Sequence, residues 1–108
     1  MLAAALAGCG GSEHIPLDRE QDRDQITPEL RSACQLAERR CSHCHSLDRI
    51  LVARVSRPEQ WSRYVERMRR MPSSGIARHE SPIIVRCLVY WSFGASGLEV
   101  LDAEGEEP

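Results

Sequence analysis

A pair of cysteines three residues apart, with a histidine directly after the second, constrains this chain more than any other feature: the run is Cys41-Ser42-His43-Cys44-His45. The chain has 108 residues, of which only two Trp, two Tyr and one Phe are aromatic, so protein side chains alone would give it a thin core. Thiols and imidazoles can hold a metal or a covalently bound group. We therefore expect one small domain in which a group held by this run helps to fill the core.

The cysteine content and the hydropathy pattern limit the class of protein further. Five cysteines in so short a chain favour an oxidising compartment, a bound metal or a covalent cofactor. No run approaches the roughly 18 to 20 consecutive apolar residues that a membrane-spanning helix needs. The sequence therefore predicts a domain that does not itself cross a bilayer.

The first residues are typical of the end of an export signal. An apolar run at 2–7 leads into Leu6-Ala7-Gly8-Cys9, which resembles the signal of bacterial lipoproteins, whose cysteine becomes the lipidated first residue of the mature protein. The run is short and lacks a positive start, which a start codon further upstream would explain. We expect a signal remnant over 1–9, lipid on Cys9 and a flexible tether over 10–26. The alternative is an apolar N-terminus with an incidental cysteine.

Helical signals begin just before the cysteine pair, and no strand-like alternation competes with them. Thr27 can cap a first helix and Pro28 fits its first position. Helical spacing up to about Arg40 then places one group of small or apolar side chains on a single stripe: Leu30, Ala33, Cys34, Ala37 and Cys41. The fold class is therefore predicted to be all-α.

A second helix is predicted from Ser56, which forms a capping-box pattern with Glu59, to about Arg70. Its apolar face carries Trp61, Tyr64, Val65 and Met68, and its other face carries arginines.

A third helix is predicted to begin with Ser81 as its cap and Pro82 as its first residue, and to stop at Gly94. Its apolar stripe contains Ile83, Ile84, Cys87, Leu88 and Trp91. The folded domain would thus span 27–94, and 95–108 would be a frayed acidic tail.

The cysteine pair itself indicates a haem. Cys-x-x-Cys-His is the attachment signature of c-type haem, in which two thiols form thioethers to the two vinyl groups and the next histidine lies under the iron. Tethering fixes the haem's orientation, so a small domain can hold a large apolar group with little further loss of entropy. The sequence thus predicts one covalent haem c, with an iron ion, at Cys41, Cys44 and His45.

Taken together, the chain resembles the small monohaem cytochromes c of bacterial periplasms. The likeness covers about 27–93 and rests on the first helix, the haem signature, the segments 56–61 (SRPEQW) and 65–68 (VERM), and a capped last helix ending in Val89-Tyr90-Trp91. It implies a cytochrome c-like fold of three to four short helices around the haem, in which the N- and C-terminal helices cross. It also implies iron held by a histidine and a methionine, and transfer of single electrons.

Carried over by position, Cys41 and Cys44 are the attachment sites and His45 is the proximal iron ligand. Two methionines compete for the distal position. Met68 is favoured because it lies seven residues after Trp61 on one helical face, whereas Met71 directly precedes a proline, as the ligand does in many cytochromes c. Either methionine could instead fill the core.

The resemblance also bears on the two cysteines outside the signature and on the haem carboxylates. Cys34 and Cys87 lie on the apolar stripes of the two helices that cross in this fold, which predicts a disulfide between them. The alternative is two buried thiols that never meet. Arginines that follow the signature are candidate partners of the haem propionates: Arg49, Arg54 and Arg57.

The charge pattern suggests how partners are recognised. Eight arginines lie between residues 49 and 78 against two glutamates, although the net charge of the whole chain is −2. The glycines and interleaved aromatic residues of a single-strand nucleic-acid binder are missing there. We therefore expect the second helix, through Arg63, Arg67 and Arg70, to face acidic redox proteins or simply solvent, and we expect neither a nucleic acid nor a small-molecule substrate.

These features predict an electron-transfer protein on the periplasmic side of a bacterial membrane, with a lipid anchor and no enzymatic activity of its own. One alternative is the haem-bearing, electron-accepting subunit of an oxidoreductase. Another class of function is a small zinc-binding or adaptor lipoprotein, in which Cys41, Cys44, His45 and His79 would hold the metal. His79 could also serve as a second histidine ligand of the haem iron.

Overall fold

The computed structural model describes residues 15–17, 26–42 and 47–105 of the chain. Within these ranges every regular element is a helix, which confirms the all-α prediction. The elements are α1 (Pro28–Cys41), α2 (Asp48–Leu51), α3 (Glu59–Arg69), a 3-10 helix (Arg78–Glu80) and α4 (Ser81–Gly105). Helix α2 is a single turn, too short to leave a periodic signal in the sequence.

Helix α1 begins and buries its stripe as its sequence predicts. The hydroxyl of Thr27 accepts a hydrogen bond from the backbone N–H of Leu30 at 3.1 Å, and Pro28 occupies the first turn, where no N–H is needed. All five stripe residues are buried: Leu30, Ala33, Cys34, Ala37 and Cys41. Cys41, the first thiol of the haem signature, is the last residue of the helix, so the packing of α1 fixes its position.

A disulfide joins the two long helices where they pack against each other. Helices α1 and α4 form the most extensive contact between elements, and Cys34 of α1 is bonded to Cys87 of α4 with a Cα to Cα distance of 5.0 Å. Both cysteines are almost fully buried. This is the pair that the resemblance to cytochromes c suggested, and it closes a loop that contains the haem signature, α2 and α3.

Helix α3 also packs against α4, mainly through tryptophan. Trp61 is completely buried, its indole N–H donates to the hydroxyl of Ser92 at 2.8 Å, and its ring makes edge-on contacts with Tyr64 and Trp91. Val65 is buried beside it, and Met68 packs on the same core. The predicted apolar face of this helix is therefore confirmed.

The capping box predicted for α3 is wrong in its details. Helix α3 begins at Glu59 with Pro58 at the cap position and no side-chain cap. The side chain of Gln60 instead reaches back and accepts hydrogen bonds from the backbone N–H groups of Ser56 and Arg57, at 2.6 and 3.3 Å. The side chain of Gln60 thus satisfies the backbone N–H of Ser56, the donor that the capping box assigned to Glu59.

Gly94 interrupts α4 but does not end the folded chain. Its φ of 74° and ψ of −163° lie in a region open essentially to glycine, and they kink the helix. The helix then continues to Gly105, with Leu98 and Leu101 packed on the core, and Arg86 before the kink pairs with Asp102 after it at 2.6 Å. The prediction of a frayed tail from residue 95 was therefore wrong, because these leucines find apolar surface that α1 and the first half of α4 create together.

The apolar stripe of α4 is also broader than predicted. Ile84, Cys87 and Leu88 are buried as expected, but Val85, Val89 and Tyr90 are buried too, and Ile83 is 39% exposed. The helix is covered on one side by α1 and on another by α3. A helix between two neighbours buries most of its circumference, which a single-stripe pattern does not capture.

Part of the segment that we expected to be a tether belongs to the core. Ile15 and Leu17 are buried, and the backbone N–H of Ile15 donates to a carboxylate oxygen of Glu38 at 2.7 Å. Residues 18–25, which separate this contact from α1, lie outside the described residues. The folded domain therefore begins before Thr27, and two isolated apolar residues in a polar segment were enough to attach it.

One helix would be long and apolar enough to cross a membrane if length and composition alone decided. It spans Arg78–Glu104, and its best window has a mean hydropathy of 1.3. The same stretch carries the fully buried Ile84, Leu88 and Val89 and is interrupted by the kink at Gly94. We therefore interpret it as the core helix of the domain.

Removal of the disulfide should destabilise the domain markedly. Cys34 and Cys87 are 53 residues apart, and closing a loop of that length restricts the unfolded chain, so the Cys34→Ala/Cys87→Ala variant should lose about 2 to 4 kcal/mol of unfolding free energy. Chemical denaturation of the full chain measures the loss. Wild type in reductant should approach the variant, and the variant itself should not respond to reductant. Equal unfolding midpoints in oxidised wild type and the variant would contradict a stabilising bridge.

Candidate functional site

Three residues with sulfur in their side chains line one cavity. The cavity has a volume of about 250 Å³ and lies between the end of α1, α2 and the end of α3. Cys41 lines it together with both candidate methionines, and its lining is completed by Arg40, Arg49, Pro72, Ser74 and Ile76. From the sequence, only the resemblance to cytochromes c suggested that these residues lie near one another. In the structure, the packing of the helices brings them to one cavity.

Cys41 is the one cysteine of the Cys-x-x-Cys-His run that lies within the described residues. Its thiol is free and buried, and burial raises its pKa to about 12. A thiol with that pKa stays protonated at neutral pH and is a weak nucleophile by itself. The protonated side chain adds an uncharged sulfur to the lining of the cavity.

The other residues of the signature, His43, Cys44 and His45, lie outside the described residues, as does Cys9 at the predicted lipidation site. Their roles therefore stay predictions. The described residues on either side, Ser42 and Leu47, fix where this segment leaves α1 and where it enters α2. Leu47, the first described residue after the signature, is fully buried.

The two candidate methionines differ in their surroundings. Met68 lies on α3, is partly buried and packs against the core. Met71 follows the end of that helix and is 59% exposed. The chain then turns through Ser73, whose φ is 62°, and Gly75, whose φ is 75°. Met68 is thus held by a helix, while Met71 is carried by the turn that follows it.

A smaller cavity of about 190 Å³ shares residues with the first. Arg49, Met68 and Met71 line both cavities, and Tyr64 and Arg67 complete the lining of the second. Burial raises the pKa of the Tyr64 hydroxyl, and nearby Cys41 raises it further, against the smaller opposing effects of Arg49 and Arg67. Tyr64 therefore remains a neutral hydrogen-bond donor at neutral pH, between the thiol and the two arginines.

An ion pair fastens the end of α1 to the start of α4 beside the first cavity. Arg40 donates from Nε and Nη2 to the two carboxylate oxygens of Glu80, at 3.0 and 2.8 Å. Glu80 is buried and also accepts a hydrogen bond from the backbone N–H of Ala77 at 2.9 Å. These contacts lower the pKa of Glu80 from 4.5 to about 2. The residue directly before Cys41 is thereby fixed, an interaction that sequence reasoning missed because the partners are 40 residues apart.

Exposed arginines form a continuous surface next to the second cavity. Arg63, Arg67 and Arg70 are exposed and line an open groove of about 520 Å³ with Glu66 and Met71. The carboxylate of Glu66 pairs closely with Arg69 and lies 3.7 Å from Arg70, and the hydrogen bond from Arg69 lowers its pKa. The one acidic group of this groove is thus already paired, and the surface is positive.

The three arginines that we predicted as propionate partners have different surroundings in the structure. Arg49 lines both cavities, while Arg57 is paired with Glu59 at 3.0 Å. Arg54 is exposed and lines neither of the two cavities. The sequence therefore offered three equivalent candidates. In the structure, Arg49 is the one of the three that lines the cavities.

The described residues give no further support to the predicted zinc site. His79 is exposed on the 3-10 helix and does not line the cavity at Cys41. Across 15–17, 26–42 and 47–105, no three His, Cys, Asp or Glu side chains are grouped closely enough to hold a metal ion. Cys44 and His45 are outside these ranges, so the zinc site stays an alternative prediction.

Comparisons with protein-family models, with curated proteins and with solved structures found no match for this chain. The functional interpretation of the site therefore depends on the chain's own residues: a buried thiol, two thioethers and a set of arginines around two cavities that share lining residues.

Replacement of Glu80 should remove a contribution to stability that depends on pH. Because the folded-state pKa of Glu80 is lowered from 4.5 to about 2, its ion pair contributes fully above about pH 5 and is lost as the pH falls towards 2. Glu80→Gln should therefore unfold more easily than wild type at pH 7, and the two unfolding curves should converge between pH 5 and 2. Denaturant titrations at several pH values measure this.

The matched control is Asp102→Asn, which breaks the more exposed pair with Arg86 on the same helix. Exposed ion pairs contribute little, so this variant should lie close to wild type at every pH. A gap between wild type and Glu80→Gln that stays constant down to pH 2 would contradict the role assigned to the Glu80 carboxylate.

Proposed function

We propose that this chain carries one covalently attached c-type haem and transfers single electrons between redox proteins. The observation that supports this most strongly is the cavity that Cys41, the first thiol of a Cys-x-x-Cys-His run, shares with Met68 and Met71. Thioether sulfur and imidazole nitrogen are the two axial ligands of electron-transfer cytochromes c. The first cysteine of the signature and two methionines line the same cavity, which supports the proposal.

In this proposal each residue has one task. Cys41 and Cys44 would hold the haem through thioethers, each S–H adding across one vinyl group so that sulfur bonds to one carbon and hydrogen to the other. His45 would hold the iron as the first protein ligand and Met68 as the second, with Met71 as the alternative. Met68 is preferred because it is partly buried on a helix, and a rigid element holds a ligand more precisely than a turn.

The chemistry needs little else from the protein. A bound haem supplies an iron that accepts one electron from a reduced redox protein and gives it to an oxidised one, with no atom transferred. Ile76, Pro72 and the methionines give the cavity an apolar wall, which limits access of water. With His45 and a methionine both holding the iron, no position would be left for a substrate, and the chain would act as a carrier and not as an enzyme. An electron-accepting subunit of an oxidoreductase is the alternative assignment.

Other residues of the chain indicate where this electron transfer would take place and which kind of partner it would involve. The positive groove formed with Arg63, Arg67 and Arg70 is complementary to an acidic patch on a redox partner. Lipid on Cys9 would hold the domain at the periplasmic face of a bacterial membrane, where a disulfide such as that between Cys34 and Cys87 is stable. Electron transfer would then take place between proteins at that membrane.

Covalent attachment is tested by expressing the full chain with a cytochrome c maturation system. Wild type should retain haem on a denaturing gel and give the pyridine haemochrome spectrum of two thioethers. Cys44→Ala should give a spectrum with one thioether, and Cys41→Ala/Cys44→Ala should retain no haem after denaturation. Cys34→Ala/Cys87→Ala is the matched control, because it removes two cysteines but leaves the signature. Wild type without covalent haem would overturn the proposal and favour the zinc or adaptor alternative.

The distal ligand is identified by the charge-transfer band between iron and methionine sulfur in the oxidised visible spectrum. Met68→Ala should abolish this band and lower the reduction potential, because thioether ligation favours the reduced iron. Met71→Ala should keep the band. The reverse pattern would assign Met71, and a band that survives in both variants would contradict methionine ligation from this cavity.

The docking surface is tested by its dependence on salt. Arg63→Glu/Arg70→Glu should slow electron transfer with an acidic redox protein by roughly tenfold or more at low ionic strength, and the difference should shrink at high salt. Arg86→Glu lies outside the groove and is the control. Equal rates for wild type and the double variant at low salt would remove this surface from the proposal. Arg67 is left unchanged because it also lines the second cavity.

A further inference from the structure

The segment before α1 is fixed to that helix much nearer to Cys9 than the sequence predicted. Ile15 and Leu17 are buried, and the backbone N–H of Ile15 donates to a carboxylate oxygen of Glu38 at 2.7 Å. Residues 9–14 lie outside the described residues, but covalent geometry limits their reach, since six residues span at most about 20 Å. Cys9 is therefore within that distance of a fixed point on α1, whatever the conformation of the chain between them.

This reach is short compared with the size of the domain. The smallest of the three principal dimensions of the molecule, measured over Cα atoms, is 25 Å. A lipid group attached to Cys9 can therefore not pass to the far side of the molecule while Ile15 stays docked. The surface around Ile15 and Glu38 is consequently the part of the domain that lies nearest to the lipid.

The outer face of α1, which adjoins this point, is basic. The exposed residues of the helix beyond its first two are not acidic: Arg31, Ser32, Gln35 and Arg39. Arg31, Gln35 and Arg39 recur every four residues, so they follow one side of the helix. The carboxylate of Glu38 lies beside this row and accepts the hydrogen bond from the docked segment. Guanidinium groups in such a row are suited to the phosphate groups of phospholipids.

Apolar side chains border the basic row. An open groove of about 600 Å³ runs along α1, and Leu36 and Ile83 line it together with Ser32 and Arg39. Ile83 is 39% exposed and is one of the exposed large apolar side chains among the described residues. Basic groups beside apolar ones favour a membrane interface, because cations bind the headgroups while apolar side chains enter the boundary with the acyl chains.

We propose that the outer face of α1 lies against a phospholipid bilayer, held there by the short connection between a lipid on Cys9 and the docked Ile15. This inference rests on the proposed function, because the lipid on Cys9 is part of it. Arg31 and Arg39 bind headgroup phosphates, and Ile83 contacts the apolar part of the interface. Helix α3 packs on another side of α4, which leaves its positive groove to a redox protein.

The test compares two matched substitutions in the lipidated, haem-loaded full chain on vesicles that contain anionic phospholipid. Ser32→Cys lies on the outer face of α1 and Ser62→Cys on α3, and both serines are exposed. The five native cysteines are engaged by the lipid, the haem and the disulfide, so a maleimide coupled to a large polymer reacts at one site. Ser32→Cys should react roughly tenfold more slowly than the same variant carrying Cys9→Ser, which has no lipid, because the bilayer covers that face. Ser62→Cys should react equally fast with and without the lipid.

A second variant tests the docked segment itself. Ile15→Ser/Leu17→Ser should release it, so that Ile26 becomes the first fixed residue after Cys9 and the limit on the distance rises to about 60 Å. Ser32→Cys should then regain most of its reactivity on vesicles, with an unchanged haem spectrum as evidence that the domain is intact.

The outcomes separate this inference from the function on which it rests. If mass spectrometry finds no lipid on Cys9, the membrane attachment and the orientation both fail. If the lipid is present but Ser32→Cys and Ser62→Cys are protected alike, or protection of Ser32→Cys persists after release of the docked segment, the orientation is wrong and the haem protein stands. Protection that is confined to Ser32→Cys and requires the docked segment supports the inference.

Discussion

The crossing of α1 and α4, tied by the bridge between Cys34 and Cys87, is the constraint on which the rest of this structure depends. One end of each helix lies at the candidate site: α1 finishes at Cys41, and α4 starts beside Glu80, which binds Arg40. The bridge lies two turns before Cys41 on the same stripe, so it fixes that thiol in depth and orientation. Helix α3 then packs on α4 through Trp61 and carries Met68 to the same cavity. The distance between a thiol and a thioether that are 27 positions apart is thus set by two helix contacts.

The arginines on and between these helices are of two kinds, those paired with a carboxylate and those without one. Where the protein provides both signs, as with Arg40 and Glu80, the ion pair fastens elements together and is already satisfied. Where it provides only cations, as with Arg49 and Arg67, the charge is available to something else. The same reasoning separates Arg57, which has Glu59, from Arg49, which has no partner in the described residues. A chain with fourteen basic residues, all of them arginine, therefore contains only a few that bear on the site.

Local features were predictable because they depend on neighbours in sequence. The Thr27 cap, the five-residue stripe of α1 and the apolar face of α3 follow from spacing alone, and the structure confirms them. Other predictions were wrong where contacts outside the local sequence pattern determined the structure. Ile15 and Leu17 joined the core, and residues 95–105 formed a helix instead of a tail. In each case the side chains or backbone groups contact residues that lie outside the stretch of sequence on which the prediction was based.

The sequence by itself determined that the chain is helical, where its first helix begins, and that it contains a Cys-x-x-Cys-His run directly after that helix. Those properties come from periodicity, capping and the fixed spacing of reactive groups, all of which act within a few residues. Only the tertiary structure decided that Cys41, Met68 and Met71 line one cavity, that Glu80 holds Arg40, and that Arg49 is at the site while Arg54 is not. The reason is that these contacts join residues many positions apart, and their geometry follows from how α1, α3 and α4 bury their faces against one another.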